Sequence, residues 1–255
     1  MYLVGMKWVS FIPTHSRRLV VRAAQVDLEP VYLSGETGSG KSSIARWIHQ
    51  NSPRGVKPLV LFSVGDSLEE RCAQAEEGTL LIQDLDDFPE NERANLARFI
   101  RTRALVDQTA GVRKMVRARV IATGRAPLSD FSVFTGTFPA FQIHLPSLSE
   151  RGAELDDLID SLLGEMAHEL KRDHVRTLSE GARKTLHRHP WRANFRELRN
   201  ILRFGILRTR GSVIEEAHLP DLRDPEGLLL QSRDGFRPTE DLLRNELETE
   251  RLRTV

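Results

Sequence analysis

One eight-residue segment constrains the fold of this 255-residue chain more than any other. It has the pattern G-x-x-x-x-G-K-S, follows an apolar run at 31–33 and precedes a segment of helical character at 43–49. A loop of this kind curls so that its backbone N–H groups point inward, and the helix that follows adds partial positive charge at the same place. The segment consists of Gly35, Glu36, Thr37, Gly38, Ser39, Gly40, Lys41 and Ser42. We therefore expect a phosphate-binding loop for a nucleotide, with Lys41 bridging phosphate oxygens and the Ser42 hydroxyl coordinating Mg²⁺.

Composition excludes several other classes of protein. The net charge is only +1 with 29% charged residues, which argues against a nucleic-acid surface that covers the whole chain. The single cysteine, Cys72, excludes an intramolecular disulfide and indicates a reducing compartment. No apolar run approaches the roughly 18 residues of a membrane span, and the eight histidines show no metal-binding spacing. We expect a cytoplasmic protein without membrane contact.

Strand-like and helical patterns alternate in the first part of the chain. The apolar strand-like runs lie at 31–33, 59–64, 79–82, 116–122 and 141–145, and the helical patterns between them lie at 42–50, 67–75 and 89–103. This alternation predicts βαβ crossovers and a parallel sheet covered by helices on both faces. The first 145 residues are therefore predicted to form a three-layer α/β nucleotide-binding domain.

The pattern changes after Pro146. Only helical spacing is visible there, at 150–172, 179–189 and 194–209, with Asn194 as the expected N-cap of the last helix. We predict a small helical domain at 146–222, without strands. Residues 223–255 are expected to form a linker and an amphipathic helix capped by Thr239, with one apolar side made of Leu242, Leu243, Leu247 and Leu252.

Three stretches resemble the central domain of bacterial enhancer-binding proteins, the AAA+ ATPases that activate the sigma-54 form of RNA polymerase. They are the phosphate loop with A-R-W-I-H at 45–49, L-P-S-L-S-E-R at 145–151 and H-P-W-R-A-N-F-R-E-L at 189–198. The resemblance covers about residues 20–222. It implies a P-loop NTPase of the AAA+ type with a helical lid domain, and ATP with Mg²⁺ as ligands. It also implies that Arg196 is the sensor-2 arginine, which reaches the γ-phosphate.

The chain departs from this family at its acidic motif. Where the family ends a strand with Asp-Glu, this sequence has Gln83 and Asp84. A shift by one residue gives Asp84 the metal-binding role but places Leu85 at the catalytic glutamate. Only one of the two carboxylates survives in either alignment, so Asp84 is the candidate for both the catalytic group and the Mg²⁺ ligand. We expect Asp86 and Asp87 to be exposed turn residues.

Three further family features are altered. Gly124 replaces the sensor-1 asparagine, and Phe131 and Thr137 stand where two arginines reach into the neighbouring subunit, with Arg125 as an alternative for that role. The sigma-contacting GAFTGA sequence is missing between the two nucleotide motifs. The similar F-T-G-T sequence at 134–137 follows sensor 1, which is the wrong side of the domain.

These observations favour an ATP-binding regulator with weak or no hydrolysis and no direct sigma-54 remodelling. Its expected partners are further copies of itself or a related AAA+ activator, with the transcription machinery as the target; no DNA-binding domain is readable in the sequence. The alternative is an active, ring-forming ATPase that remodels another partner, with Asp84 as its base or metal ligand. A third reading is an interaction scaffold that keeps the fold without the nucleotide.

Overall fold

The computed structural model describes residues 12–106 and 113–222. The predicted linker and amphipathic helix at 223–255 lie outside the described residues. Among those described, no helix is both long enough and apolar enough to cross a membrane.

Strands and helices alternate in the first part of the chain, as the sequence predicts. The elements up to the last strand of the main sheet are α1 (Arg17–Gln25), β1 (Val31–Ser34), α2 (Lys41–Gln50), β2 (Leu59–Phe62), α3 (Leu68–Ala75), β3 (Thr79–Ile82), α4 (Glu90–Thr102), β4 (Ala104–Val106), β5 (Arg113–Met115), β6 (Arg119–Gly124) and β7 (Phe141–His144). The later elements are α5 (Glu154–Glu169), β8 (Thr177–Leu178), α6 (Glu180–Arg188), α7 (Asn194–Arg208) and β9 (Val213–Ile214).

Five parallel strands form the main sheet in the order β2-β3-β6-β1-β7. The strands β1, β3 and β6 are buried along their whole length. One apolar cluster includes Tyr32, Leu80 and Ile82 and packs against α3 and α4, while a second includes Leu33 and Leu81 and packs against α1 and α2. Because neighbouring residues of a strand belong to different clusters, each face of the sheet is covered by helices. The predicted three-layer α/β fold is confirmed.

The order of the strands brings the functional motifs to one edge. In a parallel sheet the carboxyl ends of all strands lie at the same edge, where ligands of open α/β sheets bind. The phosphate loop follows β1, Gln83 and Asp84 follow β3, and Gly124 ends β6, which pairs directly with β1. The sheet therefore gathers segments that are far apart in the sequence.

Residues 116–122 do not form the predicted strand from end to end. The strand β6 begins at Arg119, and residues 113–115 instead pair antiparallel with 104–106 in a separate hairpin. Arg119, the first residue of β6, is fully buried and donates to the carbonyl oxygens of Ala23 and Glu29. These two hydrogen bonds compensate part of the cost of burying its guanidinium.

The described chain divides into two compact units. The first contains residues up to Ser161 together with Trp191–Arg196, and the second contains Leu162–Pro190 and the residues from Glu197 onward. The second unit holds α6, most of α7 and a two-stranded parallel sheet in which Thr177 pairs with Val213 and Leu178 with Ile214. The prediction that no strand follows Pro146 is therefore wrong, because two-residue strands are too short to show a period in the sequence.

Candidate nucleotide-binding site

The phosphate loop has a backbone that only glycine adopts without strain at its turning points. Gly35 has a φ of 148° and Gly38 a φ of 78°. A Cβ on Gly35 would lie 2.4 Å from the carbonyl oxygen of Leu145, and one on Gly38 would lie 2.2 Å from that of Ala193. Both positions therefore need glycine for conformation and for space. The loop is also tied to the sheet, because the N–H of Gly35 donates to the carbonyl oxygen of Gly124 at 3.1 Å.

Lys41 is the first residue of α2 and is held inside the loop. Its side chain is buried, and its Nζ donates to the carbonyl oxygens of Gly35 at 2.7 Å and Glu36 at 3.0 Å. Burial lowers the pKa of Lys41, while the negative charges of Asp84 and Asp86 oppose that shift. The ammonium is thus fixed at the helix N-terminus by two carbonyl oxygens of the loop, where phosphate oxygens would complete its contacts.

The two residues of the altered acidic motif, Gln83 and Asp84, differ in whether their side chains are already hydrogen-bonded. Gln83 accepts a hydrogen bond from the hydroxyl of Ser63 at 3.0 Å. Asp84 has a positive φ of 46°, and its N–H donates to the hydroxyl of Thr123 at 3.0 Å. Among the described residues, nothing donates a hydrogen bond to the Asp84 carboxylate. Asp84 is therefore the acidic group of this motif that remains available to a ligand.

A divalent cation has two candidate oxygen ligands here. Ser42 lies half-buried in the first turn of α2, and the Asp84 carboxylate acts electrostatically on the neighbouring Lys41. A hydroxyl and a carboxylate are hard oxygen donors of the kind that Mg²⁺ uses together with phosphate oxygens. The described residues contain no group of three or more His, Cys, Asp or Glu that could hold a metal ion by themselves. The donor set thus fits Mg²⁺ bound jointly with a nucleotide.

At Gly124, where the resemblance implies a sensor-1 asparagine, other residues fill the space that a side chain would need. An ideal Cβ on Gly124 would lie 2.2 Å from the hydroxyl oxygen of Tyr32 and 2.9 Å from a carboxylate oxygen of Asp86. Tyr32 reaches this place from β1, where it pairs with Ala122, and its hydroxyl donates to the carbonyl oxygen of Ala126 at 2.7 Å. Burial raises the pKa of Tyr32, and the charge of Asp86 raises it further, so the phenol stays protonated.

The aspartates after β3 differ from the exposed turn that the sequence suggested. Asp86 is half-buried, and its carboxylate accepts hydrogen bonds from the backbone N–H groups of Arg125 and Ala126. That prediction is therefore wrong for Asp86, which holds the loop after β6. Asp87 is exposed as expected, and it pairs with the guanidinium of Arg125 at 2.6 Å. Arg125 thus has an acidic partner in its own chain.

The two positions assigned to trans-acting arginines carry no charge and face the protein. The ring of Phe131 makes an edge-on contact with Phe134, and the guanidinium of Arg93 lies 5.2 Å from the centre of the Phe131 ring. Thr137 is 3% exposed. Neither side chain offers a cation to a neighbouring subunit.

The segment 191–196 lies in the same compact unit as the phosphate loop. The N–H of Phe195 donates to the carbonyl oxygen of Gly38 at 3.0 Å, and the Arg196 side chain follows in the first turn of α7. The prediction of Asn194 as an N-cap is wrong, because its side-chain oxygen accepts from the N–H of Leu148 rather than from the first turn of α7, which begins at Asn194. The guanidinium of Arg151 lies 5.0 Å from the ring centre of Phe195, so all three motifs meet here.

Sequence reasoning missed Tyr32, Asp86 and Asn194 as parts of this site. The replacement of asparagine by Gly124 was the available signal for Tyr32, since a lost side chain in a buried place must be compensated by a neighbour. No pattern in the sequence indicated the partners of Asp86 or Asn194.

Comparisons with known proteins agree with this geometry. Residues 15–113 match the family model of the sigma-54 interaction domain, and residues 149–227 match that of the AAA+ ATPase lid domain. The chain is 27% identical over 248 residues to a limonene hydroxylase of Geobacillus stearothermophilus, covering 84% of this chain and 46% of that protein. It is 29% identical over 222 residues to the regulatory protein LuxO of Vibrio vulnificus, covering 74% of this chain and 48% of LuxO.

The chain spans about half the length of the curated relatives it matches. The crystal structure of NtrX from Brucella abortus in complex with ATP has the same fold, with a TM-score of 0.70 at 19% identity over 91% of this chain and 60% of NtrX. The chain therefore resembles sigma-54-dependent regulators: residues 15–113 are similar to their sigma-54 interaction domain, and residues 149–227 are similar to the AAA+ ATPase lid domain.

Proposed function

We propose that this chain is an ATP-binding AAA+ transcription regulator that uses ATP as a conformational ligand and hydrolyses it slowly or not at all. One observation carries the proposal: the phosphate loop is intact and shaped for a ligand, whereas the groups that would act on the γ-phosphate are replaced. A chain that keeps the phosphate loop but has lost the groups that act on the γ-phosphate is suited to binding ATP rather than hydrolysing it.

Binding is supported by the chemistry of the loop. Lys41 and the N-terminus of α2 supply positive charge, and Gly35, Gly38 and Gly40 give the loop the positive-φ turns of a phosphate-binding loop. The hydroxyl of Ser39 is buried without a hydrogen-bond partner among the described residues, an unsatisfied donor inside the loop. NtrX, which shares the fold, was crystallised with ATP. The family has adenine nucleotides as its ligands, so ATP is the expected occupant.

Slow hydrolysis follows from what the site lacks. Phosphoryl transfer to water depends on positioning and on charge stabilisation, and one arginine supplied by a neighbour contributes about 10³–10⁵ in rate. Phe131 and Thr137 supply no such arginine, and Gly124 supplies no side chain to orient a water. Gln83 has no charge to compensate Mg²⁺ and is occupied by Ser63. Asp84 remains as the one acidic group of the motif.

The bound nucleotide acts through the lid in this proposal. When a nucleotide is bound, Ser42 and Asp84 would hold Mg²⁺, and Arg196, in the first turn of α7, would contact the γ-phosphate. Because the chain lacks the GAFTGA sequence, it does not remodel sigma-54 directly. It regulates transcription in the cytoplasm by assembling with copies of itself or with a related active AAA+ protein, and ATP sets whether it can assemble.

A second function is favoured by the Asp84 carboxylate, to which no described residue donates a hydrogen bond. An unoccupied carboxylate near Lys41 is what a metal ligand or catalytic base requires. In this alternative the chain is a ring-forming ATPase that remodels a different partner. Its signature is turnover that rises with protein concentration, because each site is then completed by a neighbouring subunit.

Isothermal titration calorimetry with Mg-ATP tests whether the phosphate loop binds ATP. The wild type should bind ATP, and Lys41→Ala should lose binding because it removes the loop's fixed cation while leaving the core intact. Lys57→Ala is the matched control, since the Lys57 side chain is half-exposed and its contact with Glu77 is a long one of 3.8 Å. Equal responses of wild type and Lys41→Ala would refute nucleotide binding at this loop. Absence of binding at millimolar ATP would favour the scaffold reading.

A further inference from the structure

Asn194 is a fully buried polar side chain beside the phosphate loop, and every one of its hydrogen-bonding groups is used. Its Oδ1 accepts from the N–H of Leu148 at 2.7 Å. Its Nδ2 donates to the carboxylate of Glu36 at 3.0 Å and to the carbonyl oxygen of Thr37 at 3.1 Å. Its exposed fraction is 0%. A single amide therefore joins two residues of the phosphate loop to the segment after β7.

The backbone around Asn194 strengthens the same connection. The N–H of Phe195 donates to the carbonyl oxygen of Gly38, so three hydrogen bonds join residues 36–38 to residues 194–195. Gly38 lies so close to Ala193 that a Cβ would meet the Ala193 carbonyl oxygen at 2.2 Å. Asn194 also has a φ of 50°, a conformation that asparagine tolerates better than most residues. The contact is thus close-packed as well as hydrogen-bonded, and the loop cannot change shape without affecting it.

The contact involves the part of the loop that must respond to a phosphate. When N–H groups of a loop turn toward an anion, the peptide units that carry them rotate, and the carbonyl oxygens of the same units rotate with them. The carbonyl oxygens of Thr37 and Gly38 are the acceptors for Asn194 and Phe195. A bound phosphate therefore acts directly on the two residues that open α7. Arg196 follows one residue later, in the same helical turn.

We propose that Asn194 is the positioning residue that couples occupancy of the phosphate loop to Arg196. This inference rests on the proposed function, since the signal it carries is the bound nucleotide. Asn194 does not touch the nucleotide in this proposal. It holds the first turn of α7 at the distance from the loop at which Arg196 engages the γ-phosphate.

The polarity of the pair between Glu36 and Asn194 allows a specific test. Asn194→Asp keeps the size and the acceptor for Leu148, but it replaces both N–H donors by a carboxylate facing Glu36. Two carboxylates at this distance repel each other. Adding Glu36→Gln supplies an amide that can donate to the new carboxylate at position 194, which restores one hydrogen bond with reversed polarity. A merely space-filling role of Asn194 would not respond to this exchange.

Titration with Mg-ATP measures the effect. We expect Asn194→Asp to weaken ATP binding by about tenfold or more, and the double variant with Glu36→Gln to recover at least about threefold of that loss, in line with the usual strength of one hydrogen bond. Asn95→Asp makes the same chemical change on the exposed face of α4 and should bind as the wild type does. Comparing the melting temperatures without ATP shows which variants are folded. If Asn194→Asp does not fold, Asn194→Ser, which keeps one hydroxyl donor, replaces it with the same expected direction.

A thermodynamic cycle with Arg196→Ala separates coupling from simple loss of affinity. In the wild-type background Arg196→Ala should weaken ATP binding clearly, whereas in the Asn194→Asp background it should change binding by less than about twofold, because Arg196 is no longer positioned. Equal losses in both backgrounds, or unchanged binding by Asn194→Asp, would overturn the inference alone. Failure of the wild type to bind ATP would overturn the proposed function and this inference together.

Discussion

The close packing around Gly124 leads to a quantitative prediction about stability. Gly124→Ala places a methyl group 2.2 Å from the hydroxyl oxygen of Tyr32 and 2.9 Å from Asp86. Neither neighbour can move freely. The Tyr32 hydroxyl is bonded to the carbonyl oxygen of Ala126, and Asp86 accepts from two backbone N–H groups.

The size of the effect follows from two contributions. Forcing an extra methyl group into a packed interior costs about 1–3 kcal/mol. Displacing the Tyr32 hydroxyl from Ala126 costs about a further 1 kcal/mol. We therefore expect Gly124→Ala to lower the free energy of unfolding by about 2–4 kcal/mol. Tyr32→Phe alone should cost about 1 kcal/mol through the lost hydrogen bond. The double variant Gly124→Ala/Tyr32→Phe should lose less free energy of unfolding than the sum of the two single losses, because the hydroxyl oxygen that the new methyl group would meet is absent.

Urea unfolding followed by circular dichroism measures all three variants. The expected coupling between the two substitutions is at least about 1 kcal/mol, well above the few tenths seen for independent sites. Gly164→Ala is the matched control: its Cβ meets nothing within 4 Å and it lies inside α5, so alanine should be neutral or stabilising. Additive losses, or a Gly124→Ala variant as stable as the wild type, would refute the claim that Tyr32 occupies this position.

Three further predictions concern stability. Burial lowers the pKa of His49 to about 4, so between pH 6.5 and 4 the unfolded chain binds a proton that the folded chain does not. Acidification over this range should lower the free energy of unfolding by an amount on the order of 3 kcal/mol, and urea unfolding of His49→Gln at several pH values should lack this loss. Burial raises the pKa of Glu165 to about 7, which gives the opposite sign: stability should fall as pH rises from 4.5 to 7, and a Glu165→Gln variant that keeps the decline would contradict this. Gly38→Ala should cost about 2 kcal/mol or more, seen as a lower melting temperature, because it strains a φ of 78° and meets Ala193.

Much of the fold could be predicted because its signals are local. Buried parallel strands appear as short apolar runs, and the five strands of the main sheet were all found at or near their true positions. The helix α1 and the hairpin of β4 and β5 were missed. The exposed strand Arg113–Met115 is held by pairing with a neighbour rather than by burial, so it has no apolar pattern to detect. The two-residue strands β8 and β9 are too short for any period.

In the candidate site, too, the parts formed by a continuous motif could be predicted, and the parts formed by contacts between distant residues could not. The phosphate loop is a continuous motif, and its glycines and Lys41 have the geometry that the motif implies. Tyr32 and Asn194 could not be found in this way, because their partners Ala126 and Glu36 are 94 and 158 residues away. Such contacts depend on the order of strands in the sheet and on the path of the chain after Pro190. The sequence indicated that Gly124 had lost a side chain, and only the structure showed what took its place.

Steady-state ATP turnover at saturating Mg-ATP decides whether this chain only binds ATP or also hydrolyses it. The wild type is compared with Lys41→Ala as the blank, over a range of protein concentrations and alongside the binding titration. We predict that ATP binds and that turnover equals the blank, since the carboxylate, the sensor residue and the arginines of an active site are replaced. Lys41-dependent turnover that rises with protein concentration would contradict it and identify the chain as a working motor.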